Sequence, residues 1–151
     1  MVTLKKRIPG VEEALLERFV RRACRAARLV GTVDVLITND REMRVLNKRY
    51  RGKDSTTDVL SFPAVAWLPG KLAGDLAISA DIARVNAKEF GHTSLEEIKI
   101  LILHGVLHLA GYDHERDNGQ MARKEKRMRS ELGLPMNLID RARVDGGGHK
   151  R

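Results

Sequence analysis

Cysteine is almost missing from this chain of 151 residues: Cys24 stands alone, so no disulfide can close within it. A reducing, cytoplasmic setting is therefore the expectation. Cys24 falls on the apolar stripe of a predicted helix, so it reads as a small buried core residue rather than a reactive thiol. Aromatic residues are scarce, at 4%. That argues against a base-stacking platform of the RNA-recognition or OB type, which needs exposed rings. No uncharged apolar run is long enough to span a bilayer, so no membrane partner is expected. Glu12 and Glu13 follow Lys5, Lys6 and Arg7 and interrupt what would be the apolar centre of a signal peptide. Acidic residues are also in deficit, 20 against 28 basic ones, for a formal charge of +8. That balance suits an anionic partner, and nucleic acid is the commonest.

What is present reads as one domain over residues 1–151. A flexible basic tail begins at about residue 144 and includes Gly146, Gly147, Gly148, His149, Lys150 and Arg151. There is no internal repeat. Residues 3–8 suit a short edge strand and residues 10–29 a helix. That helix has Ala14, Leu15, Phe19, Ala23 and Ala27 on one face and Arg18, Arg21, Arg22, Arg25 and Arg28 on the other. Strands are expected at Val33–Thr38, at Asp58–Phe62, where Pro63 stops the run, and at Ala73–Ile78. Asn39 or Asp40 caps a helix to about Tyr50, and Ser79 caps one ending near Gly91. Residues 63–72 form a loop carrying Trp67. Ser94 and Glu97 have capping-box spacing and open a helix to about Ala110, and a last helix runs from about Asn118 to Leu132 with Arg123, Lys124, Lys126, Arg127 and Arg129 on its surface. Helices mixed with three or four strands indicate a layered α/β-type structure.

Three of the five histidines fall within eleven residues: His104, His108 and His114. A spacing of four on a strongly apolar helix puts His104 and His108 on one face. Two ligands of one zinc ion, each at about 2.0–2.1 Å, need that separation. Gly111 then ends the helix in a left-handed turn and lets His114 fold back toward the same ion. The pattern matches the metzincin zinc motif apart from its second position, and three protein ligands leave a coordination position open for chemistry. Nearby, Asp113 is a candidate to hydrogen-bond a ligand imidazole, or else a turn residue. Tyr112 is expected to pack.

Zinc peptidases carry glutamate after the first histidine as general base. Here that residue is Gly105, and neither Glu115 nor Glu125 is placed by the motif to replace it. A phosphodiester is a better fit, because cationic groups stabilise its extra transition-state charge. In YRGKDSTTDVLSFP (Tyr50–Pro63) Arg51 and Lys53 flank Gly52 in a predicted helix-to-strand loop. Arg51 could bind phosphate through two donors, or it is one more solvated surface arginine. Thr56, Thr57 and Ser61 read as strand-surface hydroxyls.

HGVLHLAGYDH (His104–His114) resembles the signature of the YbeY family of rRNA maturation endoribonucleases. LNKRYRGKDSTTDVLSFP (Leu46–Pro63) and AGDLAIS (Ala73–Ser79) resemble that family's other blocks in the same order, so the likeness spans roughly residues 30–115. Ser55 and Ala73 are small departures from it. The resemblance implies an α+β, metzincin-like fold, with a mixed four-stranded sheet packed against about five helices. It implies one zinc ion held by His104, His108 and His114, and Arg51 as the functionally important arginine, with Arg51 and His104 as the catalytic candidates. Lys48, Arg49 and Lys53 become candidate RNA contacts, while Asp75 is read as structural. The implied activity is single-strand-specific cleavage of RNA in 16S rRNA 3′ end maturation and ribosome quality control. The ribosome or its small subunit is the expected partner, and DNA is not. Nickel or cobalt would suit three imidazoles nearly as well as zinc. A ribosome-associated assembly factor with a mainly structural metal is the alternative, followed by a zinc metallopeptidase.

Overall fold

Alternation along Thr32–Thr38 buries Val33, Val35 and Ile37 and leaves Thr32 and Asp34 outside, the period of a strand with one face on a core. This is β2 in a computed structural model that describes residues 1–64, 72–113 and 117–135. The full order is β1 (Val2–Leu4), α1 (Glu13–Ala26), β2, α2 (Asp40–Arg51), β3 (Val59–Pro63), β4 (Leu72–Ser79), α3 (Ala80–Phe90), α4 (Ser94–Leu109) and α5 (Gln120–Leu132). The sheet runs β1-β2-β4-β3, with β1, β2 and β4 parallel and β3 antiparallel at the border. It is thus the mixed four-stranded sheet with five helices that the family resemblance implies. Most of the expected loop, including Trp67, and the basic tail lie outside the described residues.

Several limits differ from the sequence reading. The first strand is Val2–Leu4 rather than 3–8, and the first helix is shorter than 10–29. Its buried stripe is Leu16, Phe19, Val20, Ala23, Cys24 and Ala27, so Ala14 is exposed instead of lining the core. Pro63 belongs to β3, and Thr57 is buried. Asn39 and Ser79 cap α2 and α3, accepting from the backbone N–H groups of Glu42 and Ile82 at 2.8 and 3.0 Å. The capping box lies one residue earlier than expected. Thr93 accepts from Glu96 N–H at 3.0 Å and Glu96 accepts from Thr93 N–H at 2.9 Å.

Helix α4 is the centre of the molecule. Ile98, Ile100, Leu101, Ile102, Leu103, Val106 and Leu107 are all at most 1% exposed. Burial contributes about 1.5–3 kcal/mol for each large side chain, against about 1 kcal/mol for a cap. Packing therefore decides where this helix sits. It lies against β3 and β4, while α1 lies beside it on β1 and β2. The opposite face of the sheet carries α2, where Met43 packs with Leu60 and Ala77.

Candidate metal centre and its cleft

The two helix histidines face one another. His104 Nε2 and His108 Nε2 are 3.1 Å apart, with ring centroids at 4.7 Å and planes at 72°. Nδ1 of His104 lies 3.0 Å from Glu125 Oε1. A carboxylate only accepts, so Nδ1 carries the hydrogen and Nε2 presents its lone pair toward His108. Two nitrogens each about 2.0–2.1 Å from a tetrahedral ion would be separated by about 3.3 Å. The donor set and its spacing therefore fit a divalent cation. His114 lies outside the described residues.

Glu125 is itself held. Its Oε2 accepts from Arg129 Nη2 at 2.9 Å, and Arg129 Nη1 donates to the Pro135 carbonyl at 3.2 Å. Burial alone would push the Glu125 carboxyl upward. The hydrogen bond and charge from His104, with the Arg129 guanidinium, outweigh it and hold the group below the usual carboxylate range. Arg129 was expected on the surface of the last helix, yet its side chain is 1% exposed. It is buried because it pairs with Glu125 one turn away.

Gly111 performs the stop expected of it. Its φ is +100°, and it follows the cap residue Ala110. Gly111 N–H donates to the His108 carbonyl and Tyr112 N–H to the Leu107 carbonyl, each at 3.0 Å. This bond pair is a Schellman closure, and it turns the chain away directly after the second histidine. Gly105 has a different reason. A Cβ there would lie 2.6 Å from Leu76 Cδ2, and Leu76 is fully buried. The missing side chain lets α4 approach β4, so the peptidase glutamate has no room at this position.

A cavity of about 740 Å³ opens along β3 and takes in both histidines together with Arg51 and Asp113. The last turn of α2 delivers Arg51, and Gly52 then reverses the chain at φ +72°. The following loop is braced by Arg44 Nε on Asp54 at 2.7 Å and by Asn47 Nδ2 on the Ser55 carbonyl at 2.8 Å. Arg51 makes no ion pair among the described residues. Ser61, from β3, lines the cavity and donates to the Gly105 carbonyl at 3.3 Å. Lys48, Arg49 and Lys53 are exposed near the end of α2 but do not line the cavity. Asp75 is exposed and pairs in register with Asp34, away from the histidines. The partial desolvation of its carboxyl first, and then the nearby Asp34 charge, raise it above the ordinary range.

A family model described as "Endoribonuclease YbeY" matches residues 4–133. The chain belongs to the YbeY family. "Endoribonuclease YbeY" of Koribacter versatilis is 55% identical over 93% of this chain and 91% of its own length. That of Solibacter usitatus is 51% identical over 93% and 92%. The solution structure of TM1509 from Thermotoga maritima shares the fold, with a TM-score of 0.57 and 29% identity over 88% of this chain and 92% of that one.

The carboxylate that grips His104 is one the sequence reading weighed only as a general base. The available signal was the series Met121, Glu125, Met128 and Leu132, spaced four, three and four, in which a glutamate occupies an apolar-face position. Both tyrosines and one of the three phenylalanines line the cavity. Tyr112, read as packing, also rests partly on the core. Overall scarcity of aromatic residues therefore gave no guide to where they gather. Among the described residues, no helix is long and apolar enough to cross a membrane.

Proposed function

We propose that this chain is a zinc-dependent endoribonuclease acting on single-stranded rRNA, in 16S rRNA 3′ end maturation and ribosome quality control. The observation that carries the reading is the His104–His108 nitrogen pair opening into a cavity that also contains Arg51. The endoribonuclease activity for which the YbeY relatives are named and the +8 charge support an RNA substrate.

His104 and His108, with His114 as third ligand, would hold the zinc ion. Zinc when bound supplies Lewis acidity toward a phosphoryl oxygen or a water. Glu125 fixes the orientation of His104 and keeps its hydrogen on Nδ1. Arg51 binds a non-bridging phosphate oxygen and stabilises the charge that develops there. The exposed arginines of α1 and the exposed basic side chains of α5 hold the backbone electrostatically, without sequence readout. The closed space at Gly105 speaks against peptide hydrolysis by the glutamate-based route.

The test measures zinc content and cleavage of a single-stranded rRNA fragment for wild type, His108→Ala and Arg51→Ala. His108→Ala is expected to lose both. Arg51→Ala is expected to keep its zinc and lose about 10²–10³-fold in kcat, the usual cost of one charge-stabilising donor. Wild-type protein that holds zinc but never cuts RNA would favour the assembly-factor reading.

A further inference from the structure

Tyr50 and Phe62 are aromatic side chains on the cavity that no catalytic step requires. Tyr50 is 60% exposed, so most of its ring is open to solvent beside the cavity. Phe62 is partly buried against Met43, Leu60 and Ala77, which fixes its position. The two rings meet edge to face, with centroids 5.1 Å apart and planes at 68°. Such a contact covers at most one face of Tyr50, and its exposure leaves the remainder open. The next residue along the chain is Arg51.

We infer that Tyr50, backed by Phe62, is a stacking shelf for one unpaired nucleobase of the substrate. The inference rests on the endoribonuclease reading and assigns to that site a base-binding position. An aromatic face and an adjacent guanidinium match the two parts of a nucleotide, a flat base and an anionic phosphate. A ring can stack on any base, so the shelf selects for an unstacked nucleotide rather than for a sequence. A base held within a duplex keeps both faces covered by its neighbours and cannot use it. Arg51 and Tyr50 are neighbours at the end of α2 and both line the cavity, so one element delivers the phosphate and base positions. Phe62 comes from β3 and meets the tyrosine ring edge to face.

The experiment compares wild type, Tyr50→Ala and Tyr50→Phe in the zinc-loaded protein. Substrates are a single-stranded RNA, the same RNA with one abasic nucleotide moved along the sequence around the cleavage point, and a duplex. Tyr50→Ala is expected to raise KM on the intact single strand by about tenfold to a hundredfold, the cost of one lost stacking contact. Tyr50→Phe is expected to restore wild-type KM; zinc content should be unchanged in both, and Tyr50→Ala should lose only about 2–4 °C in Tm, for the ring contact with Phe62. At one abasic position wild type and Tyr50→Ala should become equal. The inference is overturned if Tyr50→Ala cuts the intact strand with wild-type KM, or if no abasic position removes the difference between the two proteins. Wild type that cuts no RNA would sink the endoribonuclease reading itself, a separate outcome.

Discussion

Near its N-terminus α4 meets one histidine–carboxylate pair, and in its C-terminal half it meets another. His92 Nε2 lies 2.7 Å from Glu97 Oε1, with side chains 5% and 0% exposed. His104 Nδ1 lies 3.0 Å from Glu125 Oε1, with side chains 13% and 9% exposed. The chemistry of the two pairs is the same, and their surroundings differ. The His92 ring stacks on Phe90, and Glu97 also accepts from Asn86, so this pair fastens the junction of α3 and α4. The second nitrogen of His104 meets another imidazole at the wall of a cavity. A buried histidine with a carboxylate is therefore no sign of a reactive site; a second donor and an open space beside it are.

The sharpest test of this contrast removes the carboxylates one at a time. Glu97→Ala leaves His92 and Asn86 buried without this acceptor and should cost about 3 kcal/mol of stability. Its zinc affinity should stay at the wild-type value, measured by titration calorimetry. Glu125→Ala should do the reverse in metal binding, weakening zinc about tenfold to a hundredfold, because the His104 imidazole loses its orienting partner. Equal effects of both changes on zinc affinity would erase the distinction between the pairs.

Gly105→Ala probes the stretch of α4 between His104 and His108. Overpacking against Leu76 should lower stability by about 1–3 kcal/mol in denaturant titration. A variant as stable as wild type would mean that the close approach of α4 to β4 is not what places His104.

The smallest effect is expected far from both pairs. Asp81 accepts from Lys6 and from the Asp40 backbone N–H. The Lys6 hydrogen bond, despite partial burial, holds its carboxyl below the ordinary 3.8. A carboxyl lowered by folding adds stability above its ordinary value, and that stability fades as pH falls through the lower folded value. Asp81→Asn should therefore flatten the acid limb of stability below about pH 4, with no change in zinc binding. An unaltered acid limb would show that this ion pair adds nothing measurable.

Helix α4 and its stop were legible because a long apolar run and a single glycine are local signals. The cap was misplaced because Thr93/Glu96 and Ser94/Glu97 satisfy the same spacing. Only burial shows that Glu97 belongs to His92. The end of α1 was misjudged because Arg28 takes the left-handed position at φ +57°, where glycine is the usual occupant. The two cavity histidines stood out by their spacing of four, whereas Arg51 stood out only through the family resemblance; the structure brings all three to one cavity. Glu125 and Arg129 were not assigned their roles, since their partners lie across a helix–helix contact and a basic helix hides one inward-facing arginine. Tyr50 and Phe62 were missed because a composition says nothing about where six rings meet.

The border strand β3 has a consequence for behaviour in crowded solution. The Asp58 carbonyl accepts from Ser79 N–H at 2.9 Å and Ala64 N–H donates to the Ala73 carbonyl at 3.2 Å. By antiparallel alternation, Val59, Ser61 and Pro63 turn their backbone groups outward. Proline has no N–H, so the outward row is broken at its end, and β1 at the opposite border is only three residues long. Both borders are therefore poor templates for strand addition, so the cleft can lie open without inviting a second sheet onto its margin.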